Sequence, residues 1–223
     1  MRHFIPAALL ALSLYGCSPA PYRLGPDASA DFAALTSPLT EGRDYSVEVY
    51  DRGSEITVLA PHGGDLERGT SRLARRVAGA DWNLYIFNAW LGRGSGRLHL
   101  TSANFDDPRA LDLAGRSSLA VSLHGQAEKG KWVCVGGANA EAGRLVSEAL
   151  EKAGFRTQFP CRRLPGRAPK NITNRAAAGG VQLEVSLSLL RELDKGGEYL
   201  PKFTLAVRTG LSAALKDIKE KAR

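Results

Sequence analysis

His62 and Glu67 stand five residues apart in VLAPHGGDLERGT (58–70), and an imidazole and a carboxylate brought together across a tight turn are suitable ligands for zinc. Gly63 and Gly64 between them allow that turn. Zinc wants at least one more protein ligand, with water in the fourth position of a catalytic site. His124 offers it, because LAVSLHGQ (119–126) repeats the design of an apolar run ending in His-Gly. Glu184 lies in VQLEVSLSLL, an otherwise mostly apolar run where a lone carboxylate is expensive to bury unless paired or used. It is a candidate general acid/base, set against a plain solvent-facing position on an alternating edge strand. His99, in RLHLTSANFDDP, reads more simply as a hydrogen-bonded residue on a short strand than as a ligand.

Two blander readings compete at the first turn. One makes His62 and Glu67 a polar turn over a core strand. The other likens His-Gly-Gly to an esterase oxyanion loop, which requires a Gly-x-Ser-x-Gly elbow. No such elbow exists: GRGSG (92–96) and GRSSL (115–119) have glycines in the wrong register.

The elements that must position these groups alternate along the chain. YSVEVYD and EITVLAP read as strands on either side of Gly53; Thr70 opens a helix to Ala80 with Leu73 and Val77 on its apolar side; LYIFNAW (84–90) is the next strand. RLHLTSANFDDP reads as a short strand and a turn at Asp107-Pro108. KWVCVGG is a strand, Asn139 caps a helix to about Ala153, FRTQFPC is a strand, and a basic loop runs from Arg162 to Gly180. VQLEVSLSLL follows, then a final helix over about 202–219. Alternation of this kind predicts an α/β fold with a mainly parallel or mixed sheet, in which groups at the carboxyl ends of strands converge on one crevice.

The 223 residues suit one domain with a substantial core. A net charge of +7 without a basic stripe, stacking aromatics or a recognised motif argues against nucleic acid; an acidic substrate is the economical partner, and a solvated basic surface explains most of the excess. Residues 1–16 read as a signal peptide, and Leu14-Tyr15-Gly16-Cys17 resembles a bacterial lipobox, so that Cys17 would carry lipid and Ser18 would favour the outer membrane, facing the periplasm. Residues 17–44, rich in Pro, Ala and Ser, read as a tether, and 45–223 as the catalytic domain. The lipid would be the only membrane contact. Cys134 and Cys161 can pair in an oxidising compartment or stay as buried thiols.

The ordered set PHGGDLERGT, LHLTSANFDDP, SLHG, VGG and NITNRAAAGGVQLEVSLSLL resembles the zinc-dependent poly-gamma-glutamate hydrolase family, phage and bacterial enzymes related to zinc carboxypeptidases. The resemblance spans from about Tyr45 to the last helix. It implies a single-domain three-layer α/β/α fold around a carboxypeptidase-like mixed sheet, with one zinc ion held by His62, Glu67 and His124. It makes Glu184 the acid/base, and has Asn171, Asn174 and Arg175 contacting substrate carboxylates or the developing oxyanion. The implied reaction is hydrolysis of gamma-glutamyl amide bonds in an acidic polymer or peptide. A cell-wall peptide amidase and a non-catalytic binding lipoprotein are the alternatives. Two features depart from the family pattern: Arg72 replaces the usual acidic residue after Gly-Thr, and the lipoprotein leader is absent from the phage enzymes.

Overall fold

A computed structural model describes residues 27–223; residues 1–16, read as a signal peptide, and Cys17 lie outside the described residues. A short helix α1 (Phe32–Thr36), capped by Asp31, precedes strand β1 (Tyr45–Tyr50). Strand β2 (Ile56–Gly64) carries the His-Gly-Gly turn into helix α2 (Thr70–Ala78), and strand β3 (Asn83–Ala89) follows. A 3-10 segment (Gly92–Leu98) and helix α3 (Pro108–Gly115) lead to strand β4 (Leu119–Gln126). Strand β5 (Val133–Gly136), helix α4 (Ala140–Lys152) and the two-residue strand β6 (Thr157–Gln158) come next. A second 3-10 segment (Ile172–Arg175), strand β7 (Gly180–Ser186) and helices α5 (Leu187–Asp194) and α6 (Tyr199–Lys221) complete the chain.

The seven strands form one sheet in the order β1-β3-β2-β4-β7-β5-β6. The four central strands run parallel, β1 is antiparallel to β3, and β5 is antiparallel to β7, which makes the sheet mixed. The chain leaves β2 for β3 on one side and returns to β4 on the other. That reversal opens a crevice at the carboxyl ends of β2 and β4, the place where open α/β sheets bind ligands.

Alternation along the strands divides the core in two. Val58, Val121, Leu123, Val181, Leu183 and Val185 face a layer built from α2, α4, α5 and α6. On the other face, Leu59 and Ala120 pack with Phe32 and Leu35 of α1, Leu113 of α3 and Ile172. The expected three layers are therefore present, and the positions in step with Ala120 on β4 and Gly180 on β7 share the second face.

Several expectations change in the structure. The tether does not reach residue 44, because Phe32 and Leu35 are buried in the core and residues 27–44 pack against the domain. RLHLTSANFDDP forms no strand; its end opens a helix, since Asp107 accepts from the backbone N–H of Arg109 and Pro108 takes the first helical turn. The run VQLEVSLSLL breaks at Ser186, whose side chain caps α5. FRTQFPC contributes only the two residues of β6. Of the two states left open for Cys134 and Cys161, the structure has the disulfide, with Cα atoms 4.9 Å apart.

Among the described residues no helix is long and apolar enough to cross a membrane.

Candidate metal centre

Strict alternation along β2 would put His62 with Val58 and Ala60, under the helices. The register against β3 slips by one residue between Ala60 and Gly63, a bulge that reverses the alternation and turns the imidazole to the opposite face. No side chain is tolerated just beyond. A Cβ on Gly63 would lie 2.1 Å from Ser71 Oγ, and Gly64 has a φ of +67° with Ala89 O at 2.4 Å from its would-be Cβ. The turn then closes through a bond from the Glu67 backbone N–H to His62 O, at 2.8 Å. His124 and Glu184 need no such device, since they are directly opposed on the paired parallel strands β4 and β7.

His62, Glu67 and His124 meet at the crevice, all buried. His62 Nδ1 lies 3.0 Å from Glu67 Oε1 and 3.1 Å from His124 Nδ1, and His124 Nδ1 is 3.6 Å from Glu67 Oε2. His62 Nε2 faces the Leu100 carbonyl at 2.8 Å; a carbonyl only accepts, so Nε2 carries a proton and Nδ1 is the ring nitrogen turned towards Glu67 and His124. His124 Nε2 faces Ser102 Oγ at 3.3 Å. Two imidazole nitrogens this close, flanked by a carboxylate, need a proton or a cation between them. Donors about 2.0–2.1 Å from a tetrahedral zinc are roughly 3.3 Å from each other, which the three separations bracket. Outer-shell partners of the kind supplied by Leu100 and Ser102 fix ring orientation in metal sites. The backbone N–H of Gly125 completes the set by donating to Glu67 Oε2 at 2.8 Å.

His99 belongs to the same cluster, contrary to the expectation of an ordinary strand residue. Its ring centroid is 4.3 Å from that of His62, and ligand atoms of His62, Glu67 and His99 lie within 4.8 Å of one another, a three-residue group able to hold a metal ion. The His62, Glu67 and His124 atoms are closer together, and we take those three as the tighter donor set.

The electrostatics follow from burial opposed by close charges. Burial penalises the Glu67 carboxylate, yet His62 and His124 hold its pKa well below the usual range. Burial works against a charged His124, but Glu184 and Glu67 outweigh it and raise its pKa. Burial pushes His99 down to about 4, with His62 adding to the effect. Glu184, only 5% exposed, is pushed up by burial to about 7, with Glu67 in the same direction and His124 against it. It does not occupy an edge, because β7 is flanked by β4 and β5.

In the Asn-x-x-Asn-Arg segment the two amides bond within the protein. Asn174 Oδ1 accepts from Ala138 N–H, and its Nδ2 donates to the carbonyls of Gly166 and Ala168, so this amide holds loops together. Buried Asn171 donates to Gln182 Oε1 at 2.7 Å, and Gln182 Nε2 donates to Glu184 Oε1 at 2.9 Å. Both amides are thus engaged inside the protein, which leaves Arg175 as the segment's exposed cation. Arg72 bonds Asp194 at the end of α5. Gln182 and Ser102 carry no signature of their own in the sequence, although Gln182 lies two before Glu184 on the same strand face.

A mixed seven-strand sheet with a His/Glu/His cluster at its switch point defines an α/β protein whose crevice holds residues able to bind a metal ion. The family model described as poly-gamma-glutamate hydrolase matches residues 30–199, and the chain belongs to that family. Among curated relatives, it is similar to the SPbeta prophage-derived protein YoqZ of Bacillus subtilis (strain 168), at 37% identity over 169 residues, 74% of this chain and 59% of the relative. YndL of the same organism is also 37% identical, over 153 residues, 67% of this chain and 60% of YndL. The chain therefore spans under two thirds of the length of these two relatives. A solved bacteriophage poly-gamma-glutamate hydrolase superposes with a TM-score of 0.80 at 29% identity, covering 85% of this chain and 99% of that one. A zinc-free structure of YndL gives 0.78 at 30% identity, covering 84% and 98%.

Proposed function

We propose that this protein is a zinc-dependent hydrolase of gamma-glutamyl amide bonds, in poly-gamma-glutamate or related gamma-linked peptides. His62, Glu67 and His124 would hold one zinc ion, and Glu184 would be the acid/base. The observation that carries the reading is the 3.1 Å approach of His62 Nδ1 to His124 Nδ1 beside an ionised Glu67. When bound, zinc would polarise the scissile carbonyl and make water more acidic.

The chain's own groups do the remaining work. Glu184 Oε1 is held by Gln182, so Oε2 is the oxygen left to take a proton from the attacking water and deliver it to the leaving nitrogen. A carboxyl with a pKa near 7 suits both transfers, and such steps contribute on the order of 100-fold to 10,000-fold. Arg175 offers a planar, permanently charged fork to the free carboxylate of a gamma-linked glutamate. Arg163 is a second candidate, since its charge is felt at Glu184 from the basic loop. The lipobox-like leader adds a proposed address: a protein anchored through lipid on Cys17 in the outer membrane, facing the periplasm. Labelling with a fatty acid, lost in Cys17→Ser, tests it.

The central test is zinc content together with hydrolysis of poly-gamma-glutamate and, separately, muropeptides. Glu184→Gln should keep zinc and lose turnover by at least about 100-fold; His62→Ala should lose both. Retained turnover in a folded Glu184→Gln protein would overturn the acid/base assignment. Cleavage of muropeptides alone would redirect the substrate to the cell wall, and purification without chelator that yields no metal would favour a binding module.

A further inference from the structure

Asp27 precedes the family-matched span, which begins at residue 30, yet its carboxylate is drawn into the centre. It accepts from the backbone N–H of Thr101 at 2.9 and 3.0 Å, from the Thr101 hydroxyl at 2.9 Å, from Asn104 Nδ2 at 3.0 Å and from His99 Nδ1 at 3.3 Å. Its side chain is 10% exposed, close to the 9% of His99, so the contact is a packed one. An ionised carboxylate can only accept, which places the His99 proton on Nδ1 and leaves Nε2 as the ring nitrogen available to the cluster. The same ring packs against His62, tilted by 36°.

We propose that Asp27 is a positioning residue of the metal centre, acting through His99: it fixes the ring's tautomer and its place against His62, and so makes chain ahead of the family domain part of the site. The inference rests on the zinc reading above. Carboxylate partners of metal-ligating histidines set ring orientation, and losing one weakens metal affinity about 10-fold to 100-fold; His99 stands beside the donor His62, so the loss of Asp27 is expected at the lower end of that range. The bonds to Thr101 and Asn104 serve the loop alone, and a double-mutant cycle separates the two roles.

The experiment uses the full chain, with Asp27→Asn, Asp27→Ala, His99→Ala and the Asp27→Ala/His99→Ala double variant. Zinc affinity is measured by chelator competition, thermal stability is followed in parallel, and the His99 tautomer is read by nitrogen NMR on metal-free protein. The expected result is a proton on Nδ1 of His99, shared between the two nitrogens in Asp27→Asn. Zinc affinity should fall about tenfold in Asp27→Ala and by no further factor in the double variant. An equal fall on removing Asp27 with or without His99 would overturn the proposal, as would a wild-type proton on Nε2. Wild-type protein that binds no zinc would overturn the preceding reading instead, and the metal-free tautomer would still decide whether Asp27 and His99 act as a pair.

Discussion

Among the described residues no cation hydrogen-bonds the buried Glu184, and the consequence should show in stability as well as catalysis. Its folded pKa, raised to about 7 by burial, lies above its ordinary value of 4.5. The unfolded chain therefore releases this proton first. Between about pH 4.5 and 7 each rise in pH favours the unfolded state, and the loss is complete above pH 7. In metal-free protein, Glu184→Gln should remove that loss: its melting temperature should pull ahead of wild type across this window and hold a constant lead above it. A lead that does not vary with pH would mean that Glu184 is not the group titrating. At this scale the sequence was informative because charge is hard to hide. A lone acid in VQLEV and two His-Gly endings marked themselves, whereas Gln182 and Asp27 have neutral or commonplace surroundings and no local signature.

The element that organises the site is the end of β2, where one extra residue aims His62 and two glycines leave room for β3 and α2. Gly64→Ala must place a Cβ 2.4 Å from Ala89 O at a φ of +67°. It should cost about 1–3 kcal/mol in a denaturant titration and release zinc more readily, because Glu67 hangs from the same turn. Unchanged stability and zinc retention would show that the turn is not under this constraint. Most strands and the capped helix α4 were legible from period-two and period-3.6 patterning together with Asn139. Helix α3 and the irregular run before it were not. LHLTSANF has strand-like residues, but Leu100 and Phe105 are buried by tertiary packing on the thinner face, with no strand to pair with. The break at Ser186 was hidden for a similar reason, as apolar residues continue from β7 into α5 and only the serine cap marks the change.

Across the whole molecule, the disulfide Cys134–Cys161 ties β5 to the start of the basic loop, closing a span of 27 residues. Reduction, or Cys134→Ser, should lower unfolding free energy by about 3 to 4 kcal/mol, read as a shift in denaturant midpoint with and without reductant. No shift would mean that the packing of β5 alone holds the loop. The sequence by itself determined the α/β class, the one-domain size and the residues with chemistry to offer, since hydrophobic period and residue type are local properties of the chain. Only the tertiary structure decided which of them meet. The bulge in β2, the β4–β7 register and the packing of residues 27–44 depend on contacts between segments far apart in the chain, and those contacts bring His62, His124 and Glu184 to one face and Asp27 to His99.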